Sequence, residues 1–163
     1  MLYRILNFLI AAIGFLLSLY GLYVEFKLDH LGEVYQPMCD IATYISCSKA
    51  FRSSFGTGLG IVEPLLGANH LLNQKNPVFG IITYIIFMFF QFFDNRCSAF
   101  LSLITSVLMN ILSVYLFFVL VYLRTICVVC FAIYFVNAVL LIISIKRYKS
   151  SKNIIKNKNK KRS

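Results

Sequence analysis

The chain has 163 residues, of which 60% are hydrophobic and 13% are charged, and it contains no tryptophan. A water-soluble domain of this size could not cover so much apolar surface, so the composition predicts an integral membrane protein. The formal net charge of +10 is concentrated in residues 146–163, which carry nine lysines and arginines and no acid. Nine cations beside a membrane helix predict a cytoplasmic tail under the positive-inside rule. Aromatic side chains do not alternate with these lysines, which argues against nucleic-acid binding.

The first apolar segment begins at the N-terminus. Arg4 is the one charged residue before Glu25, and the 20 residues between them can cross a hydrocarbon layer about 30 Å thick. A signal peptide is the alternative, but the run exceeds the usual apolar region and no small-x-small cleavage site follows. Gly14, Ser18 and Gly21 fall near one helix face, which predicts close approach of a second helix.

Residues 26–75 have a different character, with two prolines, five glycines and two cysteines. A segment of this length is too long for a bare loop, so we predict a structured cap. A short interfacial helix in this cap, interrupted at Pro64 and Gly67, is predicted from Leu59, Val62, Leu65, Leu66, Leu71 and Leu72.

Three further uncharged runs follow, at residues 76–93, 97–123 and 125–145. Pro77 suits the first turn of the first of these helices. Together with the N-terminal run they predict an all-α fold, a four-transmembrane-helix bundle in residues 1–145. Polar side chains at helical spacing along the third crossing predict hydrogen bonds between helices, and they are Ser102, Ser106, Asn110 and Ser113.

A polar stripe opens the last crossing. Cys127, Cys130, Tyr134 and Asn137 have i, i+3, i+7, i+10 spacing, which places them on one helix face. Polar groups at membrane depth are costly unless they face the bundle interior or a ligand, so we expect the stripe to line a pocket. The helix N-terminus and the charge of Arg124 favour a thiolate at one of the two cysteines.

The number of crossings places the cysteines. With the tail in the cytosol, four crossings return the N-terminus to the cytosol and put Cys39, Cys47, Cys127 and Cys130 on the far side, in an oxidising compartment. Cys97 falls at a cytosolic connection and is interpreted as an inert thiol. The other four cysteines admit three pairings, among which the sequence does not choose.

Two other uses of the cysteines are compatible with the sequence. Static disulfides in the cap are one. A Cys₄ zinc site is the other, but the pairs have x₂ and x₇ spacing and one pair lies at a membrane face, so we predict no metal centre. Nor do we predict a permanently bound cofactor, since disulfides themselves carry electrons. The run Gly56-Thr-Gly58-Leu-Gly60 has no preceding strand and is interpreted as a flexible turn rather than a phosphate loop.

Several motifs occur in a fixed order. They are Cys39-Asp-Ile-Ala-Thr-Tyr-Ile-Ser-Cys47-Ser, Gly58-Leu-Gly60, Leu72-Asn-Gln-Lys-Asn76-Pro-Val-Phe79-Gly80, and Cys127-Val-Val-Cys130 with Tyr134. In this combination the chain resembles the vitamin K epoxide reductases of animals, from the first helix to Ile145. The resemblance implies an endoplasmic reticulum membrane enzyme that reduces vitamin K epoxide to the quinone, and the quinone to the hydroquinone.

The resemblance also implies roles for the cysteines. Cys127 and Cys130 would be the catalytic dithiol, with Cys130 closest to the substrate. Cys39 and Cys47 would relay electrons from a thioredoxin-like lumenal partner, with Cys39 meeting the partner and Cys47 passing electrons to Cys127. The active site would therefore face the lumen.

Substrate-binding positions are implied as well. Asn76 and Tyr134 match residues that hydrogen-bond the quinone oxygens, and Phe51 and Phe55 match apolar residues that cover the pocket. The ending Lys160-Lys161-Arg162-Ser163 resembles a dilysine retrieval signal. The family usually carries Trp at the position of Phe55 and Arg at that of Thr57, so sensitivity to coumarin-type inhibitors does not follow from the resemblance.

Two alternative functions remain open from the sequence. The same parts could run in reverse, oxidising partner thiols and passing electrons to a quinone, because the direction depends on reduction potentials. The chain could also be a non-catalytic membrane scaffold with a disulfide-braced cap, which would bind no quinone.

Overall fold

The computed structural model describes residues 2–40, 45–62, 67, 70 and 73–160. These residues form five α-helices and no strand, which confirms the all-α class: α1 Leu2–Leu31, α2 Cys47–Phe51, α3 Asn76–Phe92, α4 Arg96–Tyr122 and α5 Val128–Lys160. α1 packs against α3 and α5, and α4 packs against α5 and α3.

Three of the helices are long and apolar enough to cross a membrane, namely α1, α4 and the Val128–Lys152 part of α5. Large apolar side chains cover the outer surface of the helices, for example Leu16, Phe118 and Phe135. Such a surface is expected to contact lipid rather than water. The second predicted crossing coincides with α3, which is apolar but has 17 residues and is shorter than the other three.

Small residues allow α1 and α3 to pack closely. The ring of Tyr84 fills the space that a Cβ on Gly14 would need, and a Cβ on Gly80 would lie 2.7 Å from Ser18 Oγ. Gly21 lies against Pro77 in the same interface, where an added Cβ would be 3.4 Å away. These contacts confirm the close approach predicted from Gly14, Ser18 and Gly21.

Of the polar side chains predicted to join α4 to other helices, Ser102, Asn110 and Ser113 do so, whereas Ser106 donates to the Leu103 carbonyl of its own helix. Asn110 Nδ2 donates to the Asn137 carbonyl at 2.8 Å, and Asn137 Nδ2 donates to Ser113 Oγ at 2.8 Å. From α3, Tyr84 Oη donates to Asn137 Oδ1 at 2.8 Å. Asn137 therefore links three helices, and its side-chain amide nitrogen and oxygen both have protein partners.

The C-terminal end of α3 is held by Arg147, which was predicted to belong to the basic tail. Arg147 is only 5% exposed, and α5 continues past the predicted boundary at residue 145. The Arg147 guanidinium donates to Gln91 Oε1 at 2.9 Å, to Ser102 Oγ at 2.8 Å and to the Phe93 carbonyl at 2.9 Å. A cation there satisfies carbonyls that the end of α3 leaves without intrahelical partners.

Arg4 acts at the same end. It donates to the Phe92 carbonyl at 2.7 Å and forms an ion pair with Asp94 at 3.2 Å. The beginning of α1 and the tail side of α5 therefore lie together, at the end of the helices opposite to Cys127.

The cap differs from the prediction in where its helices lie. α1 continues to Leu31 and stops at Gly32, whose φ of +58° suits a glycine directly after a helix. The helix α2 was not predicted; Ser46 Oγ caps it by accepting from Lys49 N at 3.1 Å. Of the residues predicted to form an interfacial helix, Leu59 lies instead in the short turn Gly58–Gly60 and Val62 follows that turn. Leu65, Leu66, Leu71 and Leu72 lie outside the described residues.

Candidate active site

The four cysteines predicted on one side form two disulfides. Cys39 is bonded to Cys47, with Cα atoms 5.8 Å apart, and Cys127 is bonded to Cys130, with Cα atoms 5.2 Å apart. Of the three pairings left open by the sequence, the structure therefore has the one in which both bridges are local. Cys97 is a free, exposed thiol on the first turn of α4, far from both bridges.

Backbone contacts bring the two disulfides together. Ile45 and Ile126 form a parallel bridge, and Ser46 N donates to the Ile126 carbonyl at 3.0 Å. The start of α2 therefore lies beside the start of α5, and Cys47 Sγ is 3.9 Å from Cys127 Sγ. Both side chains are fully buried. Once one bridge is reduced, a thiolate at this separation can attack the other disulfide with little movement of the backbone.

Cys127 lies at the N-terminus of α5 and acts as its cap. Its carbonyl accepts from Phe131 N at 3.0 Å, and its sulfur accepts from Cys130 N at 3.2 Å. A free backbone N–H and the positive end of the helix dipole both stabilise negative charge on that sulfur. Once the bridge opens, this N–H therefore stabilises a thiolate at Cys127.

A cavity of about 340 Å³ lies beside the second disulfide, between α1, α3, α4, α5 and the cap. Cys130, Tyr134 and Asn137 line it, as the helical spacing predicted, whereas Cys127 does not. The wall is otherwise mostly apolar, with Phe79, Leu108, Leu112, Leu116 and Leu120 among its residues. The two cysteines of the last pair thus face different ways: Cys127 towards Cys47, and Cys130 towards the cavity.

Asn76 begins α3 and joins it to the cap. Its Oδ1 accepts from Leu59 N at 2.9 Å, and its Nδ2 donates to the Phe55 carbonyl at 2.6 Å. Asn76 also lines the cavity. Each amide atom retains capacity for one more hydrogen bond, because Nδ2 has a second proton and Oδ1 a second lone pair. The attachment of the cap through Asn76 had no signal in the sequence.

Tyr134 projects from α5 into the same cavity. Its ring packs against Phe131, with centroids 5.9 Å apart. Among the described residues nothing hydrogen-bonds to its hydroxyl, in contrast to Asn137, whose amide is engaged on both sides. The Tyr134 hydroxyl is therefore available to a ligand in the cavity.

The two predicted aromatic residues of the cap also reach the cavity. Phe51 ends α2 and Phe55 follows it, and both line the cavity on the cap side. Phe55 contacts Tyr122 of α4 edge to face, with centroids 6.3 Å apart. Every residue predicted to touch substrate thus borders this one cavity.

An ion cluster fixes the start of α3 to α1. Lys75, the residue before Asn76, pairs with Asp29 and lies 3.8 Å from Glu25 Oε1. Glu25 is only 3% exposed. Because a buried carboxylate is costly without a cation nearby, Lys75 is held in place, and with it the backbone that carries Asn76.

The amino-acid sequence also matches known proteins. The chain matches the model of the Vitamin K epoxide reductase family over residues 5–145. The Vitamin K epoxide reductase complex subunit 1 of Rattus norvegicus is 37% identical over 135 residues, which cover 82% of this chain and 83% of that protein. The subunit 1 of Mus musculus is 36% identical over the same shares of the two chains.

Proposed function

The chain belongs to the vitamin K epoxide reductase family, and from this premise we propose that it reduces vitamin K 2,3-epoxide to the quinone and the quinone to the hydroquinone. The observation that carries the proposal is the position of the Cys127–Cys130 disulfide. Cys127 Sγ lies 3.9 Å from Cys47 Sγ, and Cys130 lines the cavity. Electrons can thus enter on one side of the bridge and reach a substrate on the other.

The electron relay runs through two exchanges. A thioredoxin-like lumenal protein first reduces Cys39–Cys47 and is itself oxidised. The Cys47 thiolate then attacks Cys127 Sγ and releases Cys130 as a thiolate at the cavity. Cys39 attacks Cys47 Sγ in the resulting mixed disulfide, which restores the Cys39–Cys47 bridge and releases Cys127. The N–H of Cys130 stabilises that departing thiolate, since it already donates to the sulfur at 3.2 Å.

The dithiol then reduces the epoxide. The Cys130 thiolate attacks an epoxide carbon, the C–O bond breaks, and the oxygen takes a proton. Cys127 next loses its proton and attacks Cys130 Sγ, the carbon–sulfur bond breaks, and its electron pair forms the C=C bond as the hydroxyl takes up a second proton and leaves as water. The quinone and the Cys127–Cys130 disulfide are the products. A second round of two electrons and two protons yields the hydroquinone.

Asn76 and Tyr134 are proposed to hold the substrate oxygens. Asn76 Nδ2 has one uncommitted proton, and the Tyr134 hydroxyl makes no hydrogen bond within the described residues. Donors placed where negative charge develops are worth more in a water-poor apolar cavity than in water. Phe51 and Phe55 are proposed to cover the quinone ring from the cap side.

The proposed setting is a four-crossing protein of the endoplasmic reticulum membrane, with α3 as the short fourth span. Both termini would be cytosolic and the cysteine pairs lumenal, which is supported by Arg4 and Arg147 lying at one end of the helices. The basic tail would anchor that end in the cytosol, and its last residues would engage dilysine retrieval machinery. Phe55 and Thr57 depart from the family pattern, so no sensitivity to coumarin-type inhibitors is proposed.

Turnover by the full chain in membranes tests the proposal. With a small dithiol as reductant, we expect vitamin K epoxide to be consumed and quinone, then hydroquinone, to accumulate. Disulfide formation in a reduced client protein, with quinone as oxidant and no epoxide reduction, would instead show that the enzyme runs in reverse. Absence of both reactions, with the Cys127–Cys130 bridge inert to reductant and to quinone, would indicate a scaffold.

A further inference from the structure

The turn Gly58–Gly60 over the cavity, here called the roof turn, is left-handed throughout. Its φ angles are +55° at Gly58, +58° at Leu59 and +70° at Gly60. Left-handed backbone is normal for glycine but unfavourable for a residue with a Cβ, so Leu59 is in a strained conformation. This segment was predicted to be a flexible turn, yet specific contacts hold it in the structure.

The two glycines are needed where they are. A Cβ on Gly58 would lie 2.7 Å from Val62 Cβ, and one on Gly60 would collide with the ring of Phe55. Gly58 N also donates to the Gln74 carbonyl at 2.7 Å, next to the bridge between Thr57 and Lys75. The flanks of the roof turn are thus fixed by packing and by backbone pairing.

Leu59 itself is held by side chains from two helices. Asn76 of α3 accepts from Leu59 N at 2.9 Å, and Tyr115 of α4 donates its hydroxyl to the Leu59 carbonyl at 3.0 Å. Both backbone groups of the strained residue therefore have a side-chain partner. Leu59 lines the cavity, whereas Tyr115 does not.

We propose that Tyr115 is a positioning residue, which fixes the strained roof turn so that Leu59 lies against the quinone. The inference rests on the proposed function and adds a residue that does not touch substrate. Without the hydroxyl, the Leu59 carbonyl loses its partner and the turn can relax towards the right-handed region. The Leu59 side chain then leaves the cavity wall, while Cys130 and Tyr134 on α5 stay where they are.

The test is the Tyr115→Phe variant, assayed as the full chain in membranes with a small dithiol, so that the cap relay does not limit the rate. Loss of one neutral hydrogen bond should raise the KM for quinone about two- to tenfold, with kcat per folded enzyme unchanged. Hydrogen exchange in the roof turn should rise with it. Tyr148→Phe removes a tyrosine hydroxyl at the opposite end of the helices and should change neither the KM for quinone nor the hydrogen exchange of the roof turn.

A double-mutant cycle separates positioning from general stability. Leu59→Ala removes the side chain from the cavity and keeps both backbone hydrogen bonds, so it should raise KM without exposing the turn. The double variant should then be no worse in KM than the worse single variant, because both changes act through the same side chain.

Two results would overturn the inference: an unchanged KM in Tyr115→Phe, whether or not kcat falls, or effects that multiply in the double variant. Should Tyr115→Phe fail to fold, an unchanged KM in Leu59→Ala would overturn it equally. If the unaltered protein shows no quinone turnover, it is the proposed function that fails.

Discussion

Replacing Cys127 or Cys130 with serine is expected to lower quinone-dependent turnover by about two orders of magnitude or more, whichever reductant is supplied. Cys130 is the sulfur that lines the cavity, and Cys127 is the sulfur that closes the disulfide behind it. Neither role can be taken over by serine, because a hydroxyl forms no disulfide. The measurement is epoxide consumption per folded enzyme, first with a small dithiol and then with a reduced thioredoxin-like protein.

The cap pair should behave differently. Cys39→Ser or Cys47→Ser should abolish turnover driven by the thioredoxin-like protein but preserve a measurable part of that driven by the small dithiol, which can reach the Cys127–Cys130 bridge directly. Cys97→Ser is the matched control, because it removes an exposed thiol at the other end of the helices. If all four substitutions lower only the amount of folded protein, and the activity per folded molecule stays the same, the disulfides are static braces.

Asn76→Ala should be the most harmful substitution outside the cysteines. It removes the amide that holds Leu59 N and the Phe55 carbonyl, together with the proposed contact to the quinone oxygen. We expect kcat/KM to fall about a hundredfold or more, with faster hydrogen exchange in residues 55–59. Asn76→Asp keeps the acceptor for Leu59 N but loses the donor, so it should keep more of the cap's protection than Asn76→Ala.

Tyr134→Phe separates the substrate contact from the cap. Its hydroxyl makes no hydrogen bond to the described part of the chain, so the substitution should leave hydrogen exchange of the cap and thermal stability unchanged. We expect kcat/KM to fall about ten- to a hundredfold from loss of one donor to the substrate oxygen. Cap exchange that rises as much as in Asn76→Ala, or an unchanged kcat/KM, would contradict the assigned role.

Helical periodicity located most of the candidate site. The spacing of Cys130, Tyr134 and Asn137 placed them on one face, and all three line the cavity. Cys127 was predicted on the same face but does not line the cavity. It precedes the first residue of α5, so its side chain caps the helix and does not continue the stripe. Periodicity assumes a continuous helix and cannot describe its cap.

Contacts between segments that are distant along the chain could not be predicted from the sequence. The closeness of Cys47 to Cys127 depends on how Ile45 and Ser46 pair with Ile126, which no pattern in either segment encodes. Arg147 was counted with the tail because it adjoins other cations, yet Gln91 and Ser102 give it buried acceptors. Apolar runs predict where helices cross, whereas such polar contacts depend on which helices become neighbours.

The most direct test of the relay uses a Cys39→Ser/Cys130→Ser double variant in a Cys97→Ser background, which leaves Cys47 and Cys127 as the two remaining thiols. Their sulfur atoms are 3.9 Å apart in the structure, so mild oxidation in membranes should join them in one intramolecular disulfide, identified by mass spectrometry of the unreduced protein. Two thiols that stay free, or that bond only to external thiols, would contradict electron transfer from the cap to the cavity.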